Sequence, residues 1–266
     1  MFHGKISADI AKGLKVLRRR IEAAEIPSSK LDETLNIATW NIREFGKTKR
    51  SEAAIHYIAE ILGQFDLICI VELRDDLTDL GRVLKILGPY WHAVYSDARM
   101  DDWGNRERIA FIYDQRAVLH TGFATVANPP RTKISGEYKS KFSWWRQPYT
   151  ASFSAGNFDF VMLAAHIQWG TPEARLMELT SLAEWVDLKR KERTTEDKDI
   201  IVIGDFNTEN SKQYTALTSK GLEMPSKLKA KSFGTNLAKD KRYDHILHYP
   251  SYSDRKSTRL NSSHRL

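Results

Sequence analysis

Cysteine is all but missing from this chain, with a single residue, Cys69, in 266. No disulfide can form within one chain. Cys69 lies in the apolar run Leu67-Ile-Cys-Ile-Val71, where a thiol serves as a small core residue and not as a reagent. Also missing are an apolar run near the length of a membrane span and a signal-peptide pattern, so the expected location is the cytoplasm, away from membranes. Net charge is missing where a nucleic-acid binder would show it. The formal +7 comes wholly from the ends: residues 1–30 hold seven Lys/Arg against three Asp/Glu, and residues 254–266 hold four against one. Residues 31–253 are neutral overall, so bulk charge makes no case for a polyanionic partner. With 41% hydrophobic and 28% charged residues, the chain has the composition of a soluble globular protein, and its length suits one α/β domain with a large core.

The periodicity predicts a helix over 7–25, with Ile10, Leu14, Leu17, Ile21 and Ala24 on one apolar stripe. Arg18-Arg-Arg20 could touch phosphate or form a solvated face. Residues 1–30 read as an amphipathic appendage that packs on the domain or pairs weakly. Leu35 to Ile42 then alternates as a strand ending in Asn41, Ser51 caps a helix, and Phe65 to Val71 is a buried strand ending in Glu72. A helix over about 76–87 and strands at Trp91–Tyr95 and Arg108–Tyr113 follow. Residues 121–147 look loop-like and interleave Arg131, Lys133, Lys139, Lys141 and Arg146 with Trp144 and Trp145. That mixture suits a nucleic-acid surface or an ordinary basic loop equally. Strands at Pro148–Ala155 and Phe158–His166, a helix after Pro172 and a short helix near 212–220 complete the α/β pattern.

The most informative stretch is Ile200-Ile-Val-Ile-Gly-Asp-Phe-Asn207. Four β-branched residues predict a strand buried on both faces, stopping at Gly204. Beyond it, Asp205 and Asn207 are expected on one side. A carboxylate can hold water or a hard cation, and a carboxamide can donate to a phosphate oxygen. An Asx turn ending the strand is the alternative reading.

Seven motifs, each at a strand end, run in a familiar order: Thr39 to Gly46, Val71 to Asp75, Arg106-Glu-Arg108, Arg146-Gln-Pro148, His166, Gly204-Asp-Phe-Asn207 and Tyr243-Asp244. Over residues 34–250 the chain resembles the endonuclease/exonuclease/phosphatase superfamily, deoxyribonuclease I-like branch. The resemblance implies two packed mixed β-sheets flanked by helices (an α/β/β/α sandwich) over residues 31–253. It also implies divalent-metal-dependent hydrolysis of a phosphodiester, most simply as a DNA endonuclease. Glu72 with Asn41 would hold Mg²⁺ (or Ca²⁺ or Mn²⁺). His166, paired with Glu107, would protonate the leaving oxygen, although a lone His there reads equally as a buried residue bonded to backbone. Asp205 would position water or metal, Asn207 would stabilise the phosphorane, and Asp244 would orient a later histidine. Arg74 and Arg146 match nucleic-acid contacts and could equally form structural ion pairs.

Three departures qualify the resemblance. Arg43 replaces the Asp of the abasic-site branch, and Asn105 stands where deoxyribonuclease I-like members carry a Tyr. The family's closing Ser-Asp-His is not expected at Tyr243-Asp-His245, where alternation should point His245 away from the Asp244 side. Residues 254–266 are polar and aperiodic, resemble adapter read-through, and are left outside the fold as a non-native tail, which makes the domain C-terminally truncated. The alternatives are the same machinery acting on a phospholipid or small phosphoester, or a catalytically silent nucleic-acid-binding protein. No obligate protein partner is implied.

Overall fold

The computed structural model describes residues 1–27, 34–100, 106–230, 234–250 and 259–262. Its core is laid out by apolar runs that alternate between two destinations. In β2 (Leu67–Leu73), Leu67, Cys69 and Val71 enter one apolar cluster, while Ile68, Ile70 and Leu73 enter another. β10 (Phe158–His166) and β11 (Ile200–Asp205) behave alike. Phe160, Met162, Ile201 and Ile203 join the cluster shared with β2, and Val161, Leu163, Ile200 and Val202 join a third. The shared cluster is the interface between two sheets, and burial on both faces is why these strands read as unbroken apolar runs. Helices α2 (Glu52–Leu62) and α3 (Thr78–Leu87) cover the outer face of the first sheet. α4 (Pro172–Lys191) and α5 (Ser211–Thr218) cover the outer face of the second. The four layers are the expected α/β/β/α sandwich.

The first sheet contains β1 (Thr34–Phe45), β2, β5 (Arg106–Asp114) and β3 (Trp91–Tyr95) in that order, with the two-residue β4 (Arg99–Met100) also on β5. The second runs β12 (Asp244–Leu247), β11, β10, β9 (Tyr149–Ala155) and β6 (Leu119–Val126). β1 is parallel to β2, and β10 is parallel to β11 with His166 beside Asp205. Parallel neighbours present their carboxyl ends together, where open α/β sheets place their ligands. The ladders break between Asn41 and Phe45 and between Ile70 and Leu73, and such irregularities re-aim side chains at a sheet end. β11 runs through Gly204 to Asp205 instead of stopping at the glycine. Gly204 has φ 135°, and a Cβ there would lie 2.1 Å from the Ala165 carbonyl oxygen. Only glycine lets β10 and β11 close up at the point where His166 and Asp205 emerge.

Several expectations need correcting. The stretch 121–147 is not simply a loop: β6 pairs with β9, and β7 (Arg131–Ile134) pairs with β8 (Glu137–Ser140) as a two-stranded ribbon. β6 was hidden because it is a largely exposed edge strand whose register shifts between His120 and Ala124, around Gly122, so its alternation is lost. β5 begins at Arg106, placing Glu107 within the strand. At the chain end, where a tail outside the fold is expected over 254–266, the backbone of Arg259–Ser262 forms β13, parallel to Thr34–Ile37 of β1. An edge offers unpaired backbone donors and acceptors to any extended segment, whatever its side chains. Asn105 and residues 251–258 and 263–266 lie outside the described residues.

The N-terminal helix α1 (Ala8–Ala23) is capped by Ser7 and buries Ile10 and Leu14. It docks on α2, where Glu60 accepts from Arg18 Nε (2.7 Å) and Nη2 (3.0 Å) and approaches His3 Nε2 at 2.7 Å. All three arginines are exposed, and Arg18 alone of them is seen paired, with Glu60. Among the described residues, no helix is long and apolar enough to cross a membrane.

Candidate active site

Strand ends from both sheets meet in a cleft of about 680 Å³ lined by Asn41, Glu72, Arg74, Glu107, Asp205 and Asp244, among others. Asn41, within β1 where its ladder with β2 breaks, spans the two sheets. Its Nδ2 donates to Glu72 Oε1 (2.7 Å) and to Asp205 Oδ2 (3.2 Å), and its Oδ1 accepts from the Arg43 N–H at 2.9 Å. Glu72 Oε2 accepts from the Glu44 N–H at 2.9 Å. Glu44, Glu72 and Asn207 have φ of 52°, 60° and 49°. Left-handed backbone at non-glycine residues is uncommon and collects at functional sites.

His166 and Glu107 meet across the same gap. His166 Nδ1 lies 3.0 Å from Glu107 Oε2, while Nε2 faces Glu72 Oε1 at 4.0 Å. Glu107 Oε1 also accepts from Arg146 Nη2 at 3.3 Å, with Arg146 Nε 2.8 Å from Oε2 and Arg74 Nη2 at 3.7 Å as ion-pair neighbours. Burial pushes the Glu107 carboxyl up. The bond and charge of His166, then Arg146 and Arg74, outweigh burial and hold it below the usual carboxylate range. Arg74 and Arg146 thus sit at the site through ion pairs to Glu107, and Arg74 Nη2 also donates to Glu44 Oε1 at 3.1 Å.

Asp205 makes the Asx turn after all, with Oδ1 accepting from the Asn207 N–H at 3.0 Å. The turn does not displace the site; it folds Asn207 back so that its Nδ2 donates to the Ile167 carbonyl at 2.7 Å. Asp244 pairs with Asp205 across β11 and β12. Its Oδ1 is buried without a hydrogen-bond partner among the described residues. Burial, then the charge of Asp205, pushes the Asp244 carboxyl well above the usual range. His245 points elsewhere: its Nε2 meets Thr208 Oγ1 at 2.6 Å, and its ring packs near Phe206 and Tyr214.

The donor set can be tested against a hard cation. Glu72 and Asp205 present carboxylate oxygens to one point, now bridged by the Asn41 amide nitrogen, and the buried oxygen of Asp244 lacks a donor. Among the described residues, no three His, Cys, Asp or Glu side chains form a metal cage. Two carboxylates without a cage fit Mg²⁺, which keeps most of its waters and takes few protein ligands. In this arrangement Asn41 turns its amide nitrogen to the two carboxylates and its oxygen to the Arg43 N–H.

Sequence reasoning missed the groups behind the site. Glu178 on α4 is buried, and it accepts from the N–H groups of Trp145 and, at 3.1 Å, Gln168. It thereby pins the segments carrying Arg146 and His166. Burial pushes its carboxyl up, partly offset by those two donors. Thr235 Oγ1 accepts from the N–H groups of Tyr243 and Asp244, both at 3.0 Å. Glu178 had a visible signal, a carboxylate within the apolar face of α4, whereas Thr235 had none.

The profile of the Endonuclease/Exonuclease/phosphatase family matches residues 38–264. The chain belongs to that family. Within it, the chain is 31% identical to rabbit (Oryctolagus cuniculus) deoxyribonuclease-1 over 189 residues, 67% of this chain and 62% of the rabbit protein. The bovine (Bos taurus) enzyme is 28% identical over 188 residues, again 67% and 62%. The chain thus spans about 62% of the length of these relatives. Among solved structures, a mannosyl-6-phosphatase of Bacteroides thetaiotaomicron shares the fold with TM-score 0.53 and 18% identity, over 81% of this chain and 85% of that one. As a family member of deoxyribonuclease I-like type, the chain has the expected two mixed sheets flanked by helices.

Proposed function

We propose that the chain is a divalent-metal-dependent phosphodiester hydrolase acting on nucleic acid, with DNA the first substrate to test. The observation that carries this reading is the convergence of Glu72, Glu107, Asp205 and Asp244 in one open cleft, with His166 bonded to Glu107 and 4.0 Å from Glu72 just behind its wall. Glu107, kept ionised by its bond to His166 and by its arginines, holds the Nδ1 proton of His166 and leaves Nε2 turned toward Glu72, placed to protonate a departing oxygen. Bound at Glu72 and Asp205, Mg²⁺ (or Ca²⁺ or Mn²⁺) would supply Lewis-acid stabilisation of the charge that builds on phosphorus. Asp205 can also orient the attacking water. Asn207, immobilised by Ile167, supplies an amide to the phosphate oxygens. The buried oxygen of Asp244 suits an imidazole donor, the role the family resemblance implies. Among the described residues, no histidine other than His166 is held by the site's carboxylates.

The ribbon β7–β8 supports a nucleic-acid substrate. Its register puts Arg131, Lys133 and Tyr138 on one face, with Lys133 Nζ 5.9 Å from the Tyr138 ring centroid. The other face carries Lys139, paired to Glu137 at 3.5 Å. One face is thus cationic and aromatic, and the other is neutralised. The relatives named deoxyribonuclease-1 favour DNA, and the fold shared with a sugar phosphatase supplies the opposing arm of the test.

The test compares nicking of plasmid DNA with hydrolysis of small phosphoesters, each in Mg²⁺ and in EDTA. Nicking that needs Mg²⁺ and falls by at least about 10²-fold in Glu72→Gln is expected. Equal cleavage in EDTA overturns the mechanism, and hydrolysis of small esters without nicking overturns the substrate.

A further inference from the structure

Trp169, three residues past His166, is 57% exposed and belongs to none of the three apolar clusters. Loop indoles in that position ordinarily swing freely, but this one is held. Arg175 lies on the first turns of α4 and is only 3% exposed. Its Nη1 donates to the Trp169 carbonyl at 2.9 Å, its Nη2 bonds Glu209, and its guanidinium carbon lies 5.1 Å from the Trp169 ring centroid. Burying an arginine is costly unless its charge is paired and its donors are used. Glu209 provides the charge, and the loop backbone uses a donor. Tyr243 meets the indole edge-on, with centroids 5.6 Å apart and planes at 89°. It is fixed in turn, because its carbonyl accepts from the Phe206 N–H at 2.8 Å and its N–H bonds Thr235.

Tyr243 lines the cleft and immediately precedes Asp244. A rigid aromatic surface is therefore built at the rim, three residues from the imidazole and one from the buried carboxylate. Neither ring serves the core.

We propose that Trp169, backed by Tyr243, is a stacking platform for an unpaired nucleobase of the strand whose phosphate occupies the cleft. This rests on the phosphodiesterase reading and adds which part of the substrate is gripped. An indole accepts any base, because every base has a π-face. A base inside a duplex is already stacked, so the platform serves single-stranded or locally opened segments.

The experiment measures binding in EDTA, where metal-supported hydrolysis is stopped. The probes are a labelled oligothymidylate and an abasic oligomer of the same length, with identical phosphates and no bases. The wild-type protein should prefer the oligothymidylate by about tenfold. Trp169→Ala should erase that preference by weakening only the oligothymidylate, and Trp169→Phe should keep most of it. Because the ring is exposed, melting temperatures should match. Wild-type binding that ignores the bases, or a Trp169→Ala variant that weakens both probes alike, overturns the platform. Discrimination without cleavage keeps the platform and overturns the hydrolase reading; cleavage without discrimination does the reverse.

Discussion

Two histidine–glutamate pairs hold at similar distances, the buried His166 with Glu107 at 3.0 Å and the part-buried His3 with Glu60 at 2.7 Å. Each glutamate also holds an arginine, Arg146 in one case and Arg18 in the other. They differ in what the second ring nitrogen faces. His166 Nε2 faces the cleft and Glu72 at 4.0 Å. His3 Nδ1 is stopped by a second imidazole, His56 Nδ1, at 2.8 Å, so its pair only fastens the N-terminal segment to α2. An imidazole–carboxylate pair is thus not a site by itself. It becomes one when a nitrogen is left facing open carboxylates.

The comparison breaks most sharply by mutation. His166→Ala should cut phosphodiester cleavage by about 10²–10⁴-fold, the usual worth of a general acid, with little change in melting temperature. Glu60→Gln should do the opposite. It takes the carboxylate from part-buried His3 and returns exposed Arg18 to solvent, at a cost of about 1 kcal/mol, lowering the melting temperature by roughly 2–4 °C, while cleavage persists at permissive temperature. If Glu60→Gln abolishes cleavage in folded protein, the two pairs are not separable.

A smaller effect lies in pH. Burial, then the charge of His3, holds His56 below its usual value near 6.5, with Glu52 at 3.5 Å and Arg82 also facing it. The unfolded chain then binds more protons, so this stability is complete above about pH 6.5 and is lost as pH falls below it. Burial pushes Glu60 up, but Arg18 and His3 outweigh it and hold the carboxyl below its usual 4.5. Its contribution is therefore lost further down, as pH falls through that range. Melting temperature against pH should decline from near neutrality in the wild type and decline less in His56→Gln. Equal slopes would remove His56 from the account.

The smallest effect should come from charges in neither pair. Arg131→Glu with Lys133→Glu should weaken DNA binding and flatten the salt dependence by about 2 in log–log slope, leaving hydrolysis of small phosphoesters unchanged. An unchanged slope would return the ribbon to an ordinary solvated hairpin.

What was legible in the sequence follows one physical line. Strands buried on both faces, Leu67–Val71 and Ile200–Ile203, announce themselves as apolar runs, and the polar residues that end them, Glu72 and Asp205, mark the cleft. Side chains that bury charge in pairs were illegible, because binary patterning assigns charge to water. Arg175 is buried on α4 against Glu209, and His56 and Glu60 are buried on α2. Arg18 keeps to the solvated face that rule gives it, and only its ion pair to Glu60 went unseen. Trp169 was illegible for the reverse reason, since its constraint comes from Arg175 and Tyr243, six and 74 residues away.

The solitary thiol has a practical consequence. Cys69 is fully buried in the cluster between the sheets, and burial pushes its pKa up, so the folded protein protects it from alkylation. Undocking α1 leaves that cluster closed, whereas parting the sheets opens it. The rate at which a thiol reagent labels the native protein is therefore a built-in clock for global opening. It needs no engineered probe and is blind to the looser motions of the N-terminal helix, so it can time how often the two halves of the cleft come apart.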